Sequence, residues 1–162
     1  VSRRDQITMD DDEVLAFLRE ERVVTCATNG PRGFPHLMPL WYVVRPSPAP
    51  DPPRIWAWTF AKSQKVRNLE RDPRATLQVE AGDEYHLLRG VMLETEVVVH
   101  RDVEAVGALG LEILQRYSGA PAGELDEGAR AMVRKQAAKR VGLEFVERGR
   151  ATWDHRKLGN VY

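Results

Sequence analysis

The sequence predicts an α+β fold, mainly β, built as an antiparallel barrel of about six strands decorated by helices. Two observations predict it. Apolar runs separated by dense turn chemistry follow one another as hairpins, and these outnumber anything resembling a βαβ series. Gly90 also interrupts the long strand read from Glu84 to about His100, where a bulge or sharp bend would let a sheet curl. With 162 residues, the chain is expected to form one domain over 1–162.

The elements are read in order. Asp10-Asp11-Asp12 offers N-caps to a short helix striped by Val14, Leu15, Phe17 and Leu18. Arg22 to Thr28 reads as a strand, Asn29 to Gly33 as a turn, and Phe34 to Val44 as the returning strand. Pro35 and Pro39 cannot donate to a ladder, so that strand is expected at an edge or bulged. Arg45 to Pro53 holds five prolines and reads as an extended loop. A strand from Arg54 to Phe60 runs into a helix from Lys62 to about Arg71, stopped by Asp72-Pro73. Strands at Ala75–Ala81 and Glu84–His100 follow. Two helices carry the stripes Val106 to Leu114 and Ala131 to Ala138, joined by the loop Ser118 to Gly123. Gly107 and Gly110 read as a pair of glycines in a helix and nothing more. Arg140 to Thr152 reads as the last strand, and Trp153 to Tyr162 as a polar tail too short for a packed element.

Composition narrows the function. The 24 basic and 24 acidic residues cancel, which argues against a general nucleic-acid or anionic-membrane binder. Cys26 stands alone in an apolar run, so no intrachain disulfide or multi-cysteine metal site is available. The four histidines show no metal-ligand spacing, and no metal is expected. No apolar run approaches the roughly 18 residues of a membrane span, and the N-terminal residues are polar and acidic; a cytoplasmic protein is the expectation.

The segment Arg54 to Asn68 is the most informative. Its hinge, Lys62-Ser63-Gln64-Lys65, places two ammonium groups and a hydroxyl at a helix start, where free N–H groups and the dipole favour a phosphate or carboxylate. A solvated helix start explains the same lysines equally well. On the strand, Trp56, Trp58 and Phe60 share one face and Ile55, Ala57 and Thr59 the other. The aromatic face is expected to be core more than cofactor contact. The small face would let a flat ring approach the backbone.

Four segments resemble the split-barrel flavin-binding family of pyridoxamine 5′-phosphate oxidase-like proteins. They are Gly33 to Tyr42, Trp58 to Pro73, Arg89 to Glu94 with Asp102, and Trp153 to Leu158; the last is similar to the tail of the deazaflavin (coenzyme F-420)-dependent oxidoreductases. The resemblance implies an FMN-binding type of split barrel and a homodimer with a cofactor in each of two grooves. It implies that Lys62, Ser63 and Lys65 hold the cofactor phosphate with Asn68 in support. The ring would lie against Pro39, Leu40, Trp41, Trp58, Thr59 and Phe60, and Trp153 and Lys157 would close the groove from the partner subunit. For Trp153, a plug holding down the last strand is the equal alternative.

The arginine and histidine segment by which pyridoxamine phosphate oxidases proper hold substrate is not matched at Asn160-Val161-Tyr162. The expected function is therefore an oxidoreductase using coenzyme F-420, or alternatively FMN, to pass hydride to a small electron-poor molecule. The alternatives are an FMN-dependent pyridoxamine-phosphate-oxidase-like enzyme and a non-catalytic flavin carrier. No catalytic residue is evident; His36 and Tyr42 are candidate proton donors.

Overall fold

The computed structural model describes residues 2–121 and 123–159. Seven strands form one wholly antiparallel sheet: β1 (Val24–Asn29), β2 (Pro35–Leu40), β3 (Val43–Arg45), β4 (Arg54–Phe60), β5 (Arg74–Ala81), β6 (Arg89–His100) and β7 (Arg140–Asp154). Their spatial order is β2-β1-β5-β6-β7-β4-β3. The two edges, β2 and β3, are consecutive in the chain with only Trp41 and Tyr42 between them. Three Cα steps span about 11 Å at most, so the edges must lie close together and the sheet must curl. That is the split barrel.

The helices are α1 (Arg3–Ile7), α2 (Asp11–Glu20), α3 (Gln64–Arg71), α4 (Val103–Ser118) and α5 (Glu127–Ala137). Each begins on a side-chain cap: Ser2, Asp10, Ser63, Asp102 and Asp126 accept from first-turn N–H groups. At Asp10 the cap is reciprocal, because Glu13 reaches back to the Asp10 N–H at 2.8 Å. The barrel interior is filled from several strands and two helices by Val24, Cys26, Ile55, Ala57, Leu77, Val91, Leu143, Phe145, Phe17 and Val66. Side chains, including two phenylalanines, fill the interior because a small barrel leaves no open channel. A second, smaller cluster of Val43, Leu109 and Ile113 lies under α4, with Trp56 and Trp58 packed against it.

Several expectations need correction. Seven strands form, not about six, because the run Phe34 to Val44 divides into β2 and β3 at opposite edges. β2 does lie at an edge, as Pro35 and Pro39 require. The small face of β4, expected to receive a ring, is the barrel core: Ile55, Ala57 and Thr59 are buried, while Trp56 and Trp58 are half-buried outside it and Phe60 is exposed. The bulge is not at Gly90. Glu94 pairs with Gly149 and Thr95 with Glu147, so Arg148 is the extra residue. Gly90 instead makes room for the Trp153 ring, which lies 2.2 Å from where a Cβ would be. Gly110 likewise receives Trp58, 2.4 Å from its absent Cβ, so it is more than a helical glycine. A 3-10 turn at Tyr85–Leu87 delays β6 to Arg89. The tail is structured further than expected, with β7 running to Asp154 and a 3-10 turn at His155–Leu158; Asn160 to Tyr162 lie outside the described residues. Among the described residues no helix is long and apolar enough to cross a membrane.

Candidate functional site

Outside the barrel, between the end of β2, the outer face of β4 and the α4–α5 pair, lies a groove of about 540 Å³. It brings together Pro39, Leu40, Trp41, Trp58 and Thr59 from the sequence-predicted set, and adds Gly110, Ile113, Leu114, Met132, Val133, Gln136 and Arg140. β4 alternates, so its core residues alternate with aromatic rings turned outward to the groove side. Phe60 stands beside the groove, 51% exposed, with the Arg140 guanidinium 4.2 Å from its ring centroid.

Trp41 is 55% exposed yet anchored. Its ring stacks on Tyr117 at 4.4 Å and 10°. The Tyr117 hydroxyl donates towards Arg22 O at 2.7 Å and accepts from the Tyr42 N–H at 3.0 Å. Beside it, Arg116 donates to the backbone carbonyls of Leu18, Arg19, Glu21 and Tyr42, which satisfies the open C-terminus of α2. The groove wall is thereby tied to α2 through α4. Tyr42 is fully buried, its hydroxyl 2.6 Å from Leu18 O and 3.0 Å from Glu21 O, and burial pushes its pKa up to about 12. It is placed to hold α2, not to deliver a proton to the groove. His36 stands apart in a recess with Gly30, Arg32, Phe34 and Gln64, its Nδ1 enclosed and unpartnered.

The strand–helix hinge divides its lysines. Lys62 is exposed, whereas Lys65 is 4% exposed and turned towards the barrel end, its ammonium 3.4 Å from Thr59 Oγ1. Among the described residues no carboxylate pairs with it, and burial pushes its pKa down. Ser63 caps α3 by accepting from the Val66 N–H at 3.4 Å. Asn68 is wholly buried and donates to Thr28 Oγ1 at 3.0 Å, fastening α3 to β1. Trp153 and Lys157 stand at the opposite end of β7 from the groove. Trp153 packs on Gly90, and Lys157 reaches Glu13 at 2.6 Å and Thr8 O at 2.8 Å. Within one protomer they are not brought to the groove.

Sequence reasoning missed Arg140, Tyr117 and Gln136. Arg140 reads locally as an ordinary strand-opening arginine, and only the β4–β7 pairing sets it opposite Phe60. A larger recess of about 590 Å³ lies across β1, β5 and β6, but none of the predicted residues lines it. Its cations are already paired, Arg74 with Asp72 and Arg148 with Glu96. No group of three or more metal-ligating side chains occurs among the described residues.

The curled antiparallel sheet whose two edges meet at one seam defines a split-barrel protein. The model of the pyridoxamine 5′-phosphate oxidase family matches residues 10–145, and the chain belongs to that family. No curated protein matches it. Among solved structures, a conserved hypothetical protein from Mycobacterium tuberculosis is 38% identical over 100% of this chain and 95% of its own, with a TM-score of 0.85. An F-420 reductase is 20% identical over 84% of this chain and 94% of its own, with a TM-score of 0.60. An FAD-binding protein from Mesorhizobium loti is 17% identical over 90% and 94%, with a TM-score of 0.62. The last two likenesses concern the fold alone.

Proposed function

We propose that the chain is an oxidoreductase that holds a flavin-type cofactor between the α3 start and the Trp41–Trp58 groove, and acts on a small electron-poor molecule. Coenzyme F-420 is favoured and FMN comes next. The observation that carries this reading is Lys65. A buried ammonium with three donors, one long contact to Thr59 and no carboxylate partner among the described residues is costly to keep. A cofactor phosphate is the group that fits it, because the N–H groups of Gln64 and Lys65 at the α3 start have no intrahelical acceptor. Lys62 and Ser63 complete the proposed phosphate end, and Asn68, wholly buried and bonded to Thr28, supports it only by fastening α3 to β1. The similarity of Trp153 to Leu158 to the deazaflavin branch supports F-420 over FMN.

When bound, such a cofactor supplies hydride transfer at its ring. The chain's own residues supply placement: Pro39, Leu40, Trp41, Trp58, Thr59 and Phe60 offer a ring apolar walls, and Tyr117 and Gly110 hold two of those walls in place. A homodimer belongs to the proposal. β2 has one unpaired edge and exposes Leu37 and Met38, with Phe34 and Trp41 exposed at either side. In it, Trp153 and Lys157 of the partner would approach the groove.

A second reading, a flavin carrier without turnover, is favoured by one observation: among the described residues lining the groove there is no carboxylate and no histidine. The deciding experiment titrates the purified protein with coenzyme F-420 and with FMN, following ring fluorescence, and then assays turnover of a reducible dye. Tighter F-420 binding with turnover is expected. Binding without turnover selects the carrier, and binding of neither cofactor overturns both readings.

A further inference from the structure

Two arginines of this protein lie over neighbouring tryptophans of one strand, and they differ in one respect. The Arg45 guanidinium sits 4.6 Å from the Trp56 ring centroid and is bidentate to Glu112, at 3.0 and 2.6 Å. The Arg140 guanidinium sits 4.5 Å from the Trp58 centroid and 4.2 Å from that of Phe60. Among the described residues, no carboxylate pairs with Arg140, and its Nε is enclosed without a hydrogen-bond partner. The guanidinium stays charged at any working pH, so its partial burial beside two rings leaves an uncompensated planar fork of donors lining the groove. Around it the groove is apolar, with Trp41 and Met132 exposed and Gln136 as a polar lining side chain.

We infer that Arg140 is the anion-recognition residue of this groove, and that the groove selects a planar, largely apolar molecule bearing a carboxylate. The inference rests on the reading of the groove as a ligand site. Trp58 and Phe60 hold the guanidinium, and with Nε enclosed a carboxylate accepts from its two terminal Nη groups, whereas Glu112 takes the Nε and Nη2 of Arg45. The carboxylate belongs either to the substrate or to the acidic tail of the cofactor.

The test uses 2-naphthoate and its neutral analogue 2-naphthamide as probes, read by quenching of tryptophan fluorescence, since Trp41 and Trp58 line the groove. Wild type is expected to bind the carboxylate roughly 10- to 100-fold more tightly than the amide, the range of a charge-assisted bidentate pair. Arg140→Gln should bring that ratio to about 1 with an unchanged melting profile, and Arg140→Lys should keep part of it. Titrating Arg140→Gln with F-420 and FMN assigns the source. Weakened F-420 with unchanged FMN points to the cofactor tail, and both unchanged points to the substrate. No carboxylate preference in wild type overturns the inference, whether or not Arg140→Gln folds. So does an unaltered preference in Arg140→Gln, including the case where only the oligomeric state changes. If wild type binds a flavin cofactor yet shows no preference, this inference fails and the proposed function stands; a preference without cofactor binding gives the reverse.

Discussion

At the far end of β7, Arg150 bridges Asp11 and Glu147, Arg156 grips Asp154, and Lys157 reaches Glu13, whereas at the near end no acid among the described residues pairs with Arg140 or Lys65. The same long strand borders both regions. In a chain whose charges sum to zero, the imbalance is therefore local. The far end uses charge as fastening, tying β7 and its 3-10 turn to α2 and the residues around it. The near end leaves two desolvated cations, Arg140 lining a groove with aromatic walls and Lys65 against Thr59 of the same strand as those walls' Trp58. A structural role explains the first arrangement, and the proposed ligand would explain the second, because burying an unpaired cation opposes folding unless something else selects for it.

The sharpest way to break this comparison is at Lys65. Lys65→Met should weaken binding of the preferred cofactor by roughly 10- to 100-fold, the loss of a charged hydrogen bond. The same change should stabilise the cofactor-free protein by about 0.5–2 kcal/mol, measured by denaturant unfolding, because a buried ammonium is replaced by an apolar chain. The sign follows from the lowered pKa: a buried lysine favours folding only as it neutralises at high pH, so at neutral pH its removal helps. Loss of stability in this variant would contradict the account of an unpaired cation.

Next in size is Gly110→Ala. The added Cβ would meet Trp58 at 2.4 Å and Val133 at 2.9 Å, so the α4–β4 contact must open. A cost of about 1–3 kcal/mol is expected in thermal or denaturant unfolding, with weakened groove binding alongside.

At the far end, Asp154→Asn should cost about 1–2 kcal/mol and leave groove binding unchanged. Hydrogen bonds from Arg156 hold the Asp154 carboxyl below its usual 3.8 against the opposing effect of burial. Its contribution is therefore complete above that value and is lost as pH falls through the lower folded value. An acid unfolding profile should lose this component in Asp154→Asn. The smallest effect is at Lys157, where Lys157→Ala removes a part-exposed ion pair with Glu13 and should change stability by less than about 1 kcal/mol. If Lys157→Ala lowers cofactor affinity, the far end of one protomer serves the groove of the other, as the proposed dimer requires.

Much of the fold was legible because it depends on local chemistry. The cap among Asp10 to Asp12 and the turn at Asn29 to Gly33 are short-range features that appear where the residues place them, and α3 begins at Gln64, two residues after the expected Lys62, because Ser63 is its cap. Pro35 and Pro39 announced an edge strand because a missing N–H cannot be hidden in a central ladder. The apolar contacts of the site were partly legible: Pro39 to Trp41 and Trp58 to Thr59, two segments separated in sequence, do line one groove. Arg140 was not legible, since its neighbours Trp58 and Phe60 are some eighty residues away and meet it only through the β4–β7 register.

The sequence by itself determined most of the element order, the cap of α2, the edge strand and the family likeness, because backbone hydrogen bonding and side-chain periodicity are settled within a few residues. Which face of β4 turns inward was decided only by the tertiary structure. Both faces are apolar, and the narrow barrel admits Ile55, Ala57 and Thr59 while α4 covers Trp56 and Trp58. The burial of Lys65 and the pairing of one arginine but not another were decided in the same way, by what the closed sheet brings near each charge. Charge compensation is a property of three-dimensional neighbourhoods, and composition alone records only that the total is zero.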